Sequence, residues 1–530
     1  MESLRIKGLR SLLDTGRIPI KPLTILVGEN SSGKSTFVRS FPLLRQSIDA
    51  KTKGPILWYG PYVDFGLFED ALSIFSSEKR VSFTFEIKGK DLKFDLPISY
   101  IKRLGLSDDS IISIEIAISG DSKEKSSRIS ELIINCDDTN SARISFNRQG
   151  KISEFISNNI QLNELVDSNK PISNEYSLSI LPKIEFNEES DHFYSPLENR
   201  LVSKNLIKAL DDRVGILARK GTNISKITPN LTKYKLVSVS DYIELLKKSS
   251  HTATWRKRVN NLDPEAQVLK EIHALVFAHK IPWIIFFLDH YLCSSFKNVN
   301  YIAPIRATAE RYYRAQDLSL SEVDFQGKNL AMFIKSLSDK DKLEFSEWLL
   351  SNFGFELLAE SKGGHLSLEI KYGSSPKTFN VTDMGFGFSQ ILPIITQLWF
   401  TSSNKNNSDS LYFLDNKNHY LVIEQPELHL HPRFQAKMID VFAQTVKMAK
   451  TGNLEKNGNT ISIIIETHSE TIINHIGHLI STKKIDHDDT SIVIFNKKNP
   501  DEETTVSLSS YDKDGLLNDW PWGFFEADYL

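Results

Sequence analysis

A glycine-rich segment between a predicted strand and a predicted helix constrains this chain more than any other feature. Residues 28–35 read GENSSGKS, which fits the pattern G-x-x-x-x-G-K-[ST]. An apolar run at 23–27 precedes the segment, and a helical pattern begins at residue 35. In that context successive backbone N–H groups and a helix N-terminus are directed at phosphate groups. The arrangement predicts a P-loop, and with it a strand–loop–helix unit that binds a nucleoside triphosphate.

The P-loop assigns chemical roles to individual side chains. Lys34 would bring a positive charge to the β- and γ-phosphates of ATP, and Ser35 a hydroxyl ligand to Mg²⁺. A chance glycine-rich turn is the alternative interpretation, and the flanking strand and helix argue against it. The residues predicted to contact the nucleotide are Asn30, Ser31, Ser32, Gly33, Lys34, Ser35 and Thr36.

Two further apolar runs end in polar side chains. Residues 420–427 read YLVIEQPE, and because Mg²⁺ requires a carboxylate oxygen, Glu424 is predicted to join Ser35 as a metal ligand. Residues 461–469 read ISIIIETHS, and His468 stands where a residue that senses the γ-phosphate is expected. An ordinary buried strand with a polar end, and a structural histidine, are the alternative interpretations.

The motifs GENSSGKST, VIEQPELHLHP and IIETHS carry a resemblance to a known group of proteins. They resemble the ATP-binding-cassette (ABC) ATPases of the RecF, structural-maintenance-of-chromosomes (SMC) and overcoming-lysogenization-defect group. The resemblance implies an α/β fold, namely a P-loop ABC-type ATPase head with a mixed β-sheet and flanking helices. It also implies ATP and Mg²⁺ as cofactors.

Members of this group share a signature loop that contacts the γ-phosphate across a dimer. Residues 381–390 read VTDMGFGFSQ and resemble the divergent form of that loop, although the string alone is more typical of a plain turn. The resemblance implies a homodimer, or a multiple of one, that encloses two ATP molecules. Each site would use Lys34 and Glu424 of one chain and the loop of the other. The implied loop contacts are Gly385, Gly387, Ser389 and Gln390.

One position departs from the pattern of the group. The resemblance implies a metal-binding acid followed by a catalytic Glu, but here Glu424 is followed by Gln425. An amide cannot accept a proton, so Gln425 is a poor general base. Either Glu427 takes this role or hydrolysis is slow, and we expect slow turnover. The predicted catalytic set is therefore Glu424, Gln425, Glu427 and His468.

Residues 301–306, YIAPIR, and the closing segment 514–526 are similar to a bacterial ATPase subfamily. It includes the ATPases of Septu-type systems and of retrons paired with an HNH nuclease. The resemblance implies an ATPase subunit of an anti-phage defence complex that holds a separately encoded effector, such as a nuclease. A RecF-like DNA-repair ATPase and a nucleotide-gated scaffold with negligible hydrolysis are the alternatives. Arg306, Arg311 and Asp64 are candidates for residues near the nucleotide, with surface salt bridges as the alternative.

The predicted organisation is an ATPase core built from both ends of the chain. Residues 1–75 and 301–530 would form this core. Residues 76–300 would form a large insertion that is β-rich over 80–195 and helical and basic over 196–300.

A basic segment within the insertion suggests a partner. Lys204 to Arg258 contains thirteen Lys and Arg against four acidic residues, in a chain whose formal net charge is −3. Such a segment is an electrostatic footprint for nucleic acid or for an acidic protein, and a solvated lysine-rich helical face is an equally good interpretation. Trp255, next to three basic residues, would be available to stack on a base.

Composition excludes several other classes. The two cysteines are far apart, which excludes a disulfide scaffold and a Cys-based zinc site. The longest apolar run, 281–288, is shorter than the roughly 20 residues that cross a bilayer. With no signal-peptide pattern at the start, we expect a cytoplasmic protein that contacts no membrane. No nuclease motif is found, so any nuclease activity is expected to come from another polypeptide.

Overall fold

The computed structural model describes most of the chain. Two parts of the predictions fall outside the described residues: residues 522–523 and 525–526 of the closing segment, and the β-to-helical boundary near residue 196. The residues not described are 93–103, 122–125, 166–178, 183–202, 220, 225–226, 234, 250–251, 317, 319, 374, 404–417, 452–459, 498, 500, 522–523 and 525–530.

The strands of the described residues form three sheets, which we call the central sheet, the antiparallel sheet and the small sheet. In chain order the strands are β1 (Ser3–Leu9), β2 (Leu12–Asp14), β3 (Ile18–Pro19), β4 (Leu23–Gly28), β5 (Arg80–Lys88), β6 (Ile111–Asp121), β7 (Ser126–Cys136), β8 (Asn140–Phe146), β9 (Ile152–Ser157), β10 (Ile160–Gln161), β11 (Val299–Ile302), β12 (Tyr313–Arg314), β13 (Phe355–Lys362), β14 (His365–Tyr372), β15 (Thr378–Asn380), β16 (Asn418–Glu424), β17 (Thr460–Glu466), β18 (Thr490–Asn496), β19 (Thr505–Tyr511) and β20 (Leu517–Asn518).

Helices cover the sheets and form a separate layer in the middle of the chain. They are α1 (Lys34–Val38), α2 (Ser40–Asp49), α3 (Phe68–Ala71), α4 (Gly89–Leu92), α5 (Lys204–Leu217), α6 (Thr228–Leu231), α7 (Val239–Ser249), α8 (Ala253–Asn260), α9 (Gln267–Lys297), α10 (Leu330–Ser336), α11 (Asp339–Phe353), α12 (Phe386–Ser402), α13 (Pro432–Thr451) and α14 (Glu470–Ser481).

The central sheet is mixed and carries the P-loop. Its order is β11-β16-β17-β4-β18-β19-β20. The strands are parallel from β11 to β18, and β19 and β20 are antiparallel. Every residue of β4 is buried, which is why this strand reads as a continuous apolar run. The α/β fold with a mixed sheet and flanking helices, predicted from the sequence, is confirmed.

The antiparallel sheet joins the start of the chain to the region predicted to be an insertion. β1 pairs with β5 over five residues, from Ser3 opposite Glu86 to Lys7 opposite Ser82. The sheet then continues in the order β5-β6-β7-β8-β9-β10. The boundary predicted at residue 75 therefore separates strands that share one sheet. This pairing is distant in sequence, so it leaves no local signal.

Helix α9 lies in the protein core between these regions. Its length and apolar composition would suffice to cross a membrane, but 83% of its most apolar 18-residue window is buried inside the protein. Phe296, near its end, packs on Phe41 of α2 and on Phe85 of the antiparallel sheet, with ring centroids 6.0 and 5.6 Å apart. Lys280, which is buried, and Asp289, which is partly buried, flank the apolar run 281–288 that the sequence presents.

The basic segment folds into the helices α5 to α8. Most of its described cationic side chains are exposed, including those of Arg256, Lys257 and Arg258 on α8. Trp255 is 0% exposed, and its indole N–H donates to the Leu246 carbonyl at 2.7 Å. The prediction that Trp255 is free to stack on a base was wrong, because this residue occupies the inward face of an amphipathic helix.

Candidate nucleotide site

Two glycines of the P-loop have backbone conformations that residues with a side chain rarely adopt. Gly28 has φ 147°, and a Cβ there would lie 2.1 Å from the carbonyl oxygen of Phe495. Gly33 has φ 96°, and a Cβ there would lie 2.7 Å from the side chain of Leu12. The absence of a side chain at these two positions keeps the loop concave, so that backbone N–H groups can face an anion.

Lys34 lies inside this concave loop. Its ammonium donates to the carbonyl oxygens of Gly28 and Glu29 at 2.9 and 2.6 Å, and the residue is 3% exposed. Burial lowers its pKa, while nearby carboxylates, chiefly that of Glu466, oppose the shift. Phosphate oxygens would compete with the two carbonyls for this cation. Asn30 and Ser31 form the exposed outer edge of the loop.

Glu424 is the last residue of β16, and both oxygens of its carboxylate accept hydrogen bonds. Arg39, directly after α1, donates to both of its oxygens at 2.8 Å. The Tyr301 hydroxyl donates to Oε1 at 2.6 Å. This hydrogen bonding raises the pKa of Arg39, and burial with the charge of Glu424 raises that of Tyr301. The charge of Glu424 is thus compensated within the protein.

A second carboxylate, which the sequence analysis did not single out, lies next to the P-loop. Glu466 ends β17 in direct register with Glu424 on β16. Its Oε1 accepts a hydrogen bond from Ser35 Oγ at 2.8 Å. Its Oε2 is buried and has no hydrogen-bond partner in the part of the chain that the structure describes. Burial, reinforced by the charge of Glu424, raises the pKa of Glu466 to about 7.

The loops after β16 and β17 contact each other. Gln425 has φ 45°, and its N–H donates to the carbonyl of Glu466 at 2.8 Å. Glu427 Oε1 accepts from the backbone N–H of His468 at 2.8 Å. Burial raises the pKa of Glu427, and its Oε2 is buried without a hydrogen-bond partner among the described residues. The His468 side chain is exposed, and partial burial together with the charge of Lys34 lowers its pKa.

Arg306 binds the end of β16 and the first residue of the loop after it. It is 2% exposed and donates to the carbonyls of Glu424 at 2.7 Å and Gln425 at 3.3 Å. Burial lowers its pKa to about 10. Arg306 therefore adjoins the site, as predicted, and is not a surface ion pair. Arg311, by contrast, forms an exposed ion pair with Asp383.

The predicted signature loop leads into α12. Gly385 and Phe386 are exposed, and the Phe386 ring packs edge-on against His429 with centroids 4.7 Å apart. Ser389 Oγ instead accepts from the backbone N–H of Ala309 at 3.2 Å.

The rest of the loop is also packed against its own chain. The side-chain amide of Gln390 donates to the Arg306 carbonyl at 3.4 Å. A Cβ at Gly387 would lie 2.9 Å from the His429 carbonyl oxygen. Of the loop residues predicted to reach a second chain, Gly385 is thus the exposed one, and Ser389 and Gln390 are buried. Their contacts to ATP stay predictions.

The donors at this edge of the sheet fit a hard divalent cation. Ser35 Oγ and the unpartnered oxygen of Glu466 are the oxygen ligands that Mg²⁺ prefers. Such an ion would neutralise phosphate charge when a nucleotide is bound. The concave loop around Lys34 is the corresponding cradle for the phosphates.

Comparison with known proteins identifies the family. The profile of the AAA ATPase domain matches residues 1–473, which is most of the chain. The chain belongs to the AAA ATPase domain family. Membership in this family supports the predicted ATPase activity and implies ATP as the nucleotide.

Solved structures of SMC heads are also similar to this AAA ATPase. One is the SmcHead bound to the C-winged helix domain of ScpA, with 12% identity, a TM-score of 0.35 and coverage of 96% of this chain and 98% of that one. Another is the SMC head domain from Thermotoga maritima, with 7% identity, a TM-score of 0.31 and coverage of 96% and 97%. No curated protein matches the chain.

Proposed function

We propose that this ATPase acts as an ATP-gated homodimer, or a multiple of one, in which each chain completes the nucleotide site of the other. The observation that carries the proposal is the exposure of Gly385 and Phe386 at the edge of the predicted signature loop. The Phe386 residue is 43% exposed. That loop is anchored on His429 and Ala309 of its own chain. A second chain bound at the P-loop would cover this apolar edge and add a signature loop to the phosphates. Binding energy from ATP would then stabilise the closed dimer.

The mass of the full-length protein with and without ATP tests this proposal. We expect monomers without nucleotide and dimers or higher even oligomers with Mg-ATP, measured by light scattering. Phe386→Asp should prevent ATP-dependent assembly because it places a charge at the contact. Leu343→Asp is the matched control, since Leu343 is an exposed residue of α11 at 61% exposure. Assembly that is insensitive to ATP, or to Phe386→Asp, would contradict the proposal.

The biological setting that we propose is a bacterial anti-phage defence complex. Support comes from the resemblance of residues 301–306 and of the closing segment 514–526 to the ATPases of Septu-type and retron systems. In such a complex the ATP-bound dimer would hold a separately encoded effector, such as a nuclease, and release it in response to a trigger. Expression with the neighbouring genes should protect cells from phage, and Lys34→Ala should abolish protection. Protection that survives Lys34→Ala would exclude an ATP-gated role.

A DNA-binding role is the second candidate, and one observation favours it. The described cations of α5 to α8 are largely exposed, with Lys204, Lys208, Lys248, Arg256 and Lys257 among them. An exposed cationic surface of this kind binds phosphate backbones. A RecF-like repair protein would bind DNA without a partner, whereas a defence subunit would require its effector. A scaffold would retain its partner in an ATP-dependent manner with negligible turnover.

A further inference from the structure

The site contains two strand-end carboxylates where one was expected. Glu424 and Glu466 end neighbouring parallel strands and are paired in register. Side chains in register on adjacent parallel strands project to the same face of a sheet. Both residues are at most 2% exposed. Two buried carboxylates this close require positive charge nearby, and among the described residues a cationic side chain is paired with Glu424 but not with Glu466.

The carboxylate of Glu424 is neutralised by protein groups. Arg39 binds both of its oxygens in a bidentate arrangement at 2.8 Å, and Tyr301 adds a third hydrogen bond at 2.6 Å. Bidentate Arg–carboxylate pairs are among the stronger charge-assisted interactions. To bind a metal ion directly, Glu424 would have to give up part of this set, and the Arg39 guanidinium beside it would repel the cation.

The carboxylate of Glu466 has no such partner. Ser35 donates to Oε1, and Oε2 is buried without a hydrogen-bond partner among the described residues. The 2.8 Å between Ser35 Oγ and Glu466 Oε1 is close to the separation of two adjacent ligands of octahedral Mg²⁺, about 2.9 Å for metal–oxygen distances near 2.05 Å. The two oxygens are thus already spaced as neighbouring ligands of one ion.

We propose that Glu466, and not Glu424, is the carboxylate that binds the Mg²⁺ of the nucleotide together with Ser35. This inference rests on the Mg-ATP binding assigned to the site. Glu424 is then a positioning residue: it holds Arg39 and Tyr301 against the end of β16, and its charge is balanced before any metal ion enters. The metal-binding acid of this site would lie on β17, the strand between the P-loop strand and β16.

Manganese binding tests the inference independently of turnover. Mn²⁺ replaces Mg²⁺, and its affinity for the full-length protein with a non-hydrolysable ATP analogue is measured by electron paramagnetic resonance. We expect Glu466→Gln to weaken Mn²⁺ binding at least about tenfold, as loss of groups in a metal site does. Glu424→Gln should change this affinity less than about twofold, and Glu466→Asp should restore part of it. The reverse order, equal losses in both variants or no loss in either would overturn the inference.

A second measurement separates this inference from nucleotide binding itself. Binding of a fluorescent ATP analogue in the presence of EDTA reports the P-loop without the metal ion, and Glu466→Gln should not weaken it, because the substitution removes a negative charge beside the phosphates. If the unaltered protein did not bind nucleotide, the assignment of the ATP site would be wrong. That result would not bear on whether Glu466 or Glu424 binds the metal ion. If Glu466→Gln does not fold, hyperfine coupling between Mn²⁺ and ¹³C-labelled glutamate carboxylates decides the question. This coupling should persist in Glu424→Gln, and its loss there would overturn the inference.

Discussion

The hydroxyl of Tyr301 lies 2.6 Å from Oε1 of Glu424, although the two residues are 123 positions apart. Tyr301 belongs to β11, which begins two residues after the long helix α9 ends at Lys297. The hydrogen bond therefore connects the acid at the end of β16 with the strand that follows the helical layer. Because both groups are buried, the interaction is protected from water.

Removing this hydroxyl should destabilise the protein. Tyr301→Phe leaves the ring in place but removes one of three donors to a buried carboxylate. Hydrogen bonds to charged groups contribute about 1.5–3 kcal/mol, so the free energy of unfolding in urea should fall by about that amount. Tyr59→Phe is the control because Tyr59 is 69% exposed, and equal effects of the two substitutions would contradict a role for the Tyr301 bond.

Substitution of Gly28 should disrupt the P-loop. Alanine there would need φ near 147° and would place its Cβ 2.1 Å from the Phe495 carbonyl oxygen. We expect a loss of about 1–3 kcal/mol in stability together with loss of ATP binding, both measured on the purified protein. Gly215→Ala, in helix α5 with nothing near the added Cβ, should instead stabilise the protein by about 0.5–1 kcal/mol.

Hydrolysis should be slow because of Gln425. We expect turnover well below about 1 s⁻¹, the lower end of typical enzyme values. Gln425→Glu should raise the steady-state rate by about 100-fold, since a positioned general base contributes at least that factor. Glu427→Gln should lower any residual rate, because Glu427 is the nearby acid whose pKa burial raises. Fast turnover that does not respond to Glu427→Gln would contradict this account.

DNA binding, where it occurs, should depend on the helical layer. Lys248→Glu with Lys257→Glu should weaken binding and reduce the slope of log affinity against log salt by about one for each lost phosphate contact. Lys483→Glu with Lys484→Glu gives the same change in net charge in the turn that follows α14. Binding that both pairs weaken equally would indicate a general charge effect and not a site on α5 to α8.

The sequence was sufficient for the parts of the site that are local in the chain. The P-loop from Gly28 to Ser35, the strand end at Glu424 and the histidine His468, two residues after β17, follow from short motifs, and the structure places them at one edge of the central sheet. Glu466 was overlooked because one acid had already been assigned to the metal. The available signal was an acid at the end of an apolar strand, the same pattern that identified Glu424.

Other features required three-dimensional information. The partnership of Arg39 with Glu424 joins residues 385 positions apart, and no motif predicts it. Trp255 lies among basic residues in the sequence, but its side chain faces the core, since neighbours on a helix point in different directions. The extent of α9 could not be recognised from one apolar run, because Lys280 and Asp289 limit that run to residues 281–288.

The pairing of β1 with β5 has a practical consequence for anyone shortening this protein. In a fragment that joins residue 75 to residue 301, β1 would lose its pairing with β5 along five residues. Its edge would then be unpaired. Unsatisfied edges of that kind recruit foreign strands and aggregate. Any shortened form of the protein should therefore keep β1 and the middle third of the chain together.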